Sequence, residues 1–295
     1  MARFGTVLTA MVTPFDADGA LDVDTAVLLA KRLVDEGNEG LILAGTTGES
    51  PTITKEEQLE LFGAVRDAVN VPLLAGAGSN DTASAISMTK SATDIGCDAI
   101  LSVTPYYNRP SQEGLYRHFR ACAEATHLPV MLYDIAARTG REIAPETMLR
   151  LANDVPNIVA VKDASGDPAT TATTIAHAPD GFEVYSGDDS LTLPLLAVGA
   201  VGVVGVATHW CAPEMVEMIA MFNKGDVVGA RALNQRMLES FAFETGPIAP
   251  NPVPAKAMMR TLGVPVGECR PPMGPTPVGL EDRARQVMAN LQAQH

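Results

Sequence analysis

The stretch Ile158-Val159-Ala160-Val161-Lys162-Asp163-Ala164-Ser165 holds the clearest statement of the fold. Four apolar residues run together without polar alternation, and the run then ends in a lysine and an aspartate. A strand that carries apolar side chains on both faces is covered on both faces, as in a parallel sheet wrapped by helices. Working outward, runs of the same kind recur at residues 6–13, 40–46, 72–78, 99–105, 129–134, 182–188 and 202–209. Amphipathic, helix-period stretches lie between them, at 22–37, 54–69, 81–96 and 112–126 among others. Eight strand–helix units in one chain of 295 residues predict an α/β fold, a closed (β/α)8 TIM barrel. The competing architecture, a doubly wound open sheet, calls for a Gly-x-Gly-x-x-Gly turn after the first strand, and none follows residues 6–13.

The barrel is expected over residues 1–222. Residues 223–295 exceed what one closing helix needs, and helical patterns at 226–243, 254–262 and 280–294 are separated by proline-rich joints. They predict a C-terminal helical appendage packed on the barrel.

Composition narrows the function. A hydrophobic fraction of 46 % supports a large core, and no apolar run is long enough to span a bilayer. The first residues lack a charged segment followed by a signal-type apolar run, so a cytoplasmic protein is expected. Cys97, Cys122, Cys211 and Cys269 are scattered without a CxxC pair, which predicts reduced structural thiols rather than disulfides or zinc. A net charge of −14 opposes generic binding to nucleic acid or to an anionic membrane. An anionic substrate would therefore need its own local cations.

Barrel enzymes place their chemistry at the carboxyl ends of the strands. Here those ends read Gly45-Thr46-Thr47-Gly48-Glu49-Ser50, Thr104-Pro105-Tyr106-Tyr107-Asn108, Tyr133-Asp134 with Arg138 close behind, Lys162, and Ser186-Gly187-Asp188-Asp189. Lys162 interrupts an apolar strand, where an unpaired ammonium is costly. Strand context alone leaves a snorkelling or ion-paired lysine as good a reading as a catalytic one. Desolvation at a barrel mouth raises the neutral fraction of an amine, and a neutral amine forms Schiff bases with carbonyl substrates. Tyr133, at the end of the adjacent strand, is a phenol placed to move the protons of that chemistry.

The 45–50 segment lacks the lysine of a phosphate-binding P-loop, and its glycines and hydroxyls suit a small carboxylate. Arg138 is by default a surface salt-bridge residue, or else a two-pronged grip on a second carboxylate. His118, His127, His177, His209 and His295 show no metal-ligand spacing, and Asp188-Asp189 read as a helix cap before a Mg²⁺ site. No metal is expected.

Together these segments resemble the pyruvate-dependent Schiff-base aldolase and lyase barrels. The resemblance runs from Thr9-Ala-Met-Val-Thr-Pro-Phe15 through Gly45–Ser50, the 103–114 segment and Tyr185-Ser-Gly-Asp-Asp189. It continues into Asn251-Pro-Val-Pro-Ala-Lys256 and Arg270-Pro-Pro-Met273. It implies that Lys162 captures pyruvate as a covalent Schiff base with no separate cofactor, and that Thr46, Tyr107 and Tyr133 form a proton relay. Thr47, Gly187 and Val204 would border the pyruvate, with Arg138 taking the carboxylate of L-aspartate 4-semialdehyde.

It also implies a homotetramer, or a dimer, in which Tyr107 reaches a neighbouring subunit. Relatives that cleave sialic acid or 2-keto-3-deoxy-sugar acids share the barrel but generally lack this arginine, and form the alternative. A catalytically silent binding barrel is the third reading, and the presence of both Lys162 and Tyr133 counts against it.

Two departures from the family pattern stand out. Ala136 replaces a proline, which should loosen the setting of Arg138. Ser50, Asn80 and Tyr106 match the site where lysine inhibits some members. At that site Lys55, Gln58 and Ser84 replace two histidines and a glutamate.

Overall fold

The computed structural model describes residues 2–246 and 248–293. Its strands are β1 (Val7–Ala10), β2 (Gly40–Leu43), β3 (Leu73–Gly76), β4 (Ala99–Val103), β5 (Val130–Asp134), β6 (Ile158–Asp163), β7 (Glu183–Ser186) and β8 (Gly202–Gly205). They follow one another in sequence order around a closed barrel. The helices are α1 (Val23–Asp35), α2 (Lys55–Arg66), α3 (Thr82–Ile95), α4 (Gln112–Ala123), α5 (Ala136–Thr139) and α6 (Pro145–Asp154). Then come α7 (Pro168–His177), α8 (Thr192–Ala197), α9 (Ala212–Asn223), α10 (Val227–Glu244), α11 (Val253–Thr261) and α12 (Leu280–Ala293).

The predicted strands are all present; β5 ends at Asp134 as predicted, and the other seven stop short of their predicted carboxyl ends. The run at 40–46 stops at Leu43 because Ala44 turns into the left-handed region at φ 50°. The run at 202–209 stops at Gly205, and Ala207–His209 form a 3-10 turn instead. The predicted helix starts at Asp22, Thr54 and Asp81 are N-caps, each side chain accepting from a backbone N–H of the first turn. Thr54 and Glu57 complete a reciprocal capping box. The helix expected over 280–294 runs to Ala293; Gln294 lies outside the described residues, as does His295.

The chain divides into two compact units. The first comprises the residues up to Thr6 and Pro72–Val204. Its strands pair in parallel from β3 to β8, with Leu73, Leu74, Met131, Leu132, Val184 and Val203 almost wholly buried. One irregularity sets which residues meet across β5 and β6. Val130 pairs with Ile158 but Met131 pairs with Ala160, so Val159 is an extra residue bulged out of β6. Bulges re-aim the side chains beyond them. In unbroken register Tyr133 would face Val161; with the bulge it faces Lys162.

The second unit comprises Val7–Val71 and Gly205–His295. Leu41, Ile42 and Leu43 are fully buried, each contributing roughly 1.5–3 kcal/mol. At its centre the Thr9 hydroxyl bridges Asn38 and Thr208. His209 accepts from the Val12 N–H through Nε2, and its Nδ1 meets the Val206 carbonyl at 2.7 Å, so Nδ1 carries the proton. Burial pushes this imidazole down to about 4, which keeps it neutral.

The same unit contains a buried ion pair. Lys256 Nζ on α11 lies 2.7 Å from Glu49 Oε1, and both side chains are 1 % exposed. Nζ also donates to the Glu268 carbonyl, and Glu49 Oε2 accepts from the Arg270 N–H. The Phe15 ring has Lys256 Nζ 4.0 Å from its centroid and the Arg270 guanidinium carbon 4.1 Å from it. Arg270 itself makes two bonds to Glu57 and donates to the Gly19 and Thr52 carbonyls.

Removing one partner of such a pair strands a charge in the interior. Lys256→Met is therefore expected to cost about 3–5 kcal/mol of stability, measured as a fall in the urea midpoint. Glu49→Leu combined with Lys256→Met should recover a large part of that loss. A single variant within about 1 kcal/mol of the parent would show that the pair behaves like a surface contact.

Candidate active site

The first unit carries Lys162. Lys162, near the end of β6, is only 4 % exposed, and so is Tyr133 on β5. Its Nζ lies 4.4 Å from the centroid of the Tyr133 ring, over the face. Among the described residues no carboxylate pairs with Lys162, so the ion-paired reading of this lysine has no support. Tyr133 is held from behind, since both the amide and the hydroxyl of Thr104 donate to its carbonyl.

Gly187, after β7, has a packing role beside the lysine. A Cβ there would lie 2.9 Å from Ala164 Cβ and 3.0 Å from Lys162 Cγ, tighter than packed carbon atoms sit. The missing side chain makes room for the lysine stem. Val204 is fully buried on β8.

Tyr107 lies in the loop after β4, and Arg138 in the short helix α5 after β5. Tyr107 is 90 % exposed and has φ 73°. The Asn108 amide bonds to the Tyr106 carbonyl across it, which makes a γ-turn of the strained, positive-φ kind. An exposed aromatic held in a strained turn is a candidate for contact outside its own chain.

Arg138 is exposed on α5. The loss of proline at Ala136 does not leave this segment irregular. The Arg138 and Thr139 amides both bond to the Ile135 carbonyl, the Gly140 amide bonds to the Ala136 carbonyl, and Gly140 ends the turn at φ 72°. Arg109 Nε donates to the Gly140 carbonyl, so the Tyr107 loop and the Arg138 turn are tied together.

The second unit carries the 45–50 loop, after β2. Thr47 is buried and its hydroxyl oxygen is 2.9 Å from Asn251 Nδ2; Thr46 is half-buried. The Gly48 carbonyl accepts from the Thr13 hydroxyl. A Cβ at Gly48 would come within 3.0 Å of the Ala44 backbone, so only glycine lets the loop close this tightly. Among the described residues the Thr47 and Gly48 amides donate to no acceptor, which leaves two N–H groups for an anion. Glu49, at φ 59°, turns its carboxylate inward to Lys256.

Asp188 caps the turn after it, accepting from the Ser190 amide and hydroxyl. No group of three or more potential metal ligands occurs among the described residues.

Asp134 is a site feature with no assigned role in the sequence reading. It neighbours Tyr133, pairs in register with Asp163, and is 6 % exposed. Its Oδ2 accepts from the Ile143 amide, while Oδ1 is buried without a hydrogen bond. Burial, reinforced by the nearby charges of Asp163 and Glu142, pushes this carboxyl up to about 7. The folded chain thus binds a proton that the unfolded chain releases near 4, and loses relative stability as pH rises from about 4 to about 7. Asp134→Asn removes this titration. Its melting temperature should match the parent near pH 4 and exceed it at pH 8; a constant difference across that range would contradict the assignment.

The sequence profile of the dihydrodipicolinate synthetase family matches residues 3–294. A 4-hydroxy-tetrahydrodipicolinate synthase of Moorella thermoacetica is 50 % identical over 273 residues, covering 92 % of each chain. The enzyme of that name from Acidothermus cellulolyticus is 51 % identical over 292 residues, covering 98 % of this chain and 92 % of that one.

Among solved structures, the dihydrodipicolinate synthase of Cyanidioschyzon merolae with lysine bound superposes with a TM-score of 0.96 at 44 % identity, covering 99 % of both chains. A Bacillus anthracis dihydrodipicolinate synthase gives 0.94 at 45 %, covering 98 % of this chain and 99 % of that one. With a lysine, a tyrosine and a hydroxyl-lined loop at the strand ends of the barrel, and relatives of this kind over nearly its whole length, the chain belongs to the dihydrodipicolinate synthetase family.

Proposed function

We propose that this chain is a lyase that condenses pyruvate with L-aspartate 4-semialdehyde, the reaction of 4-hydroxy-tetrahydrodipicolinate synthase, on the route to diaminopimelate and lysine. The observation that carries the reading is Lys162, buried, without a carboxylate partner and covered by the Tyr133 ring.

The Lys162 amine adds to the ketone carbon of pyruvate, and loss of water leaves an imine. Loss of a methyl proton converts the imine to an enamine, whose terminal carbon attacks the aldehyde carbon of the second substrate. The amine of that substrate then displaces Lys162, closes the ring and restores the free lysine. No separate cofactor takes part. Tyr133, Thr46 and Tyr107 relay the protons, and Thr47 with the 45–50 backbone binds the pyruvate carboxylate. Gly187 and Val204 border the same substrate, and Arg138 receives the carboxylate of the semialdehyde.

The exposed, strained Tyr107 supports assembly into a homotetramer, or a dimer, in which it completes a neighbour's relay. Sedimentation of the wild-type chain and of Tyr107→Ala tests that assembly. The enzyme is assigned to the cytoplasm.

Borohydride added with pyruvate should fix a stable mass on the peptide carrying Lys162, and Lys162→Ala should take up none. Absence of the adduct on the parent overturns the Schiff-base reading. Turnover with aspartate semialdehyde should exceed cleavage of sialic acid or 2-keto-3-deoxy-sugar acids, and Arg138→Ala should raise the KM for the semialdehyde. The reverse preference would move the assignment to the sugar-acid aldolases.

Regulation by lysine is not expected. Gln58 donates to the Ser50 and Ile53 carbonyls, and the Ser84 hydroxyl is taken up by Asp81. Lys55 adds a cation where a cationic ligand would bind. Activity at about 1 mM lysine should fall by less than half; inhibition at micromolar lysine would contradict this.

A further inference from the structure

The Thr47 hydroxyl is held by one neighbour, and the direction of that bond has a chemical consequence. Asn251 Nδ2 lies 2.9 Å from Thr47 Oγ1. An amide nitrogen donates and cannot accept, so Thr47 gives up a lone pair to Asn251 and keeps its own proton. Both residues are buried, at 2 % and 7 % exposure, which limits exchange of this partner for water. Among the described residues the Thr47 hydroxyl donates to no other group.

Asn251 is itself anchored. It stands two residues before α11, the helix whose Lys256 pairs with Glu49. One short segment thus grips the 45–50 loop at two points, residues 47 and 49.

We infer that Asn251 is a positioning residue: it fixes Thr47 as a hydrogen-bond donor, keeping the hydroxyl proton available for the carboxylate of the 2-oxo acid. The inference rests on the proposed role of Thr47 in pyruvate binding and adds the group that enforces it. A hydroxyl free to rotate presents its proton part of the time. One bonded to a fixed donor presents it in the directions that remain, and a hydroxyl-to-carboxylate bond is of the stronger, charge-assisted class.

The test is a substitution that reverses the bond. In Asn251→Asp the carboxylate can only accept, so it draws the hydrogen bond of the Thr47 hydroxyl to itself and faces the substrate anion with a second negative charge. The pyruvate concentration for half-maximal borohydride inactivation, and the KM for pyruvate, should rise about 10- to 100-fold. The KM for the aldehyde substrate and the kcat at saturating pyruvate should stay within about two-fold. Asn251→Ala should raise the same pyruvate terms by a smaller factor, and in a Thr47→Val background it should add nothing further.

Half-saturation by pyruvate within about two-fold of the parent in Asn251→Asp would mean that the bond runs the other way, and would overturn the inference. So would an alanine effect of equal size with and without the Thr47 hydroxyl, which marks a purely structural role. Should the aspartate variant fail to fold, the alanine cycle alone decides. Failure of the parent chain to form any borohydride adduct is a separate outcome: it removes the Schiff-base reading on which the inference stands, and with it the inference.

Discussion

Two charges out of water dictate much of the second unit. Glu49 and Lys256 are each removed from solvent at a cost of several kcal/mol, and their mutual attraction compensates only if the remaining polar atoms are also satisfied. The Arg270 amide and the Glu268 carbonyl meet that condition, and Phe15 offers its ring to both cations. Each of these partners is fixed in turn, Arg270 by Glu57 and by two carbonyls. Hydrophobic side chains of similar volume could fill the same space with equal or greater stability. They would not fix the backbone of residues 45–50 at one position, because apolar contacts have no preferred direction. The proposed role of this loop, offering amides and hydroxyls to a small carboxylate, calls for that directional hold.

The two units therefore hold their candidate residues in place through different physics. In the second, position comes from charge and hydrogen bonds. In the first it comes from strand register. Lys162 meets the Tyr133 ring because Val159 is bulged out of β6, and its stem fits because position 187 has no side chain. Neither device adds a charge near the lysine, and among the described residues no carboxylate pairs with the amine. The nearest acid along the adjacent strand, Asp134, is held up at about 7 by burial, so its charge is partly suppressed near neutral pH.

Much of this was legible in the residues. Eight apolar runs located eight strands, and amphipathic periodicity located the helices that begin after Asp22, Thr54 and Asp81, because both signals are local and repeated. Lys162 and Tyr133 stood out because charge and phenol interrupt apolar strands. What escaped was of two kinds. Strand ends at Leu43 and Gly205 depend on backbone torsions that apolar composition does not encode. The bulge at Val159, the Glu49–Lys256 pair and the Asn251–Thr47 bond each depend on a partner chosen by the fold. Family resemblance flagged the Asn251–Lys256 segment without saying what it does. Only its contacts explain why an asparagine and a lysine stand there.

The Asn251–Thr47 bond spans 204 residues of chain, and the bond from Arg270 to Glu49 spans 221. On a ribosome the 45–50 loop emerges long before the residues that hold it. Until they arrive, the Glu49 carboxylate has no buried cation to meet and must remain in water, which keeps the loop from settling into its final turn. Closure of the 45–50 loop thus waits on partners made some two hundred residues after it.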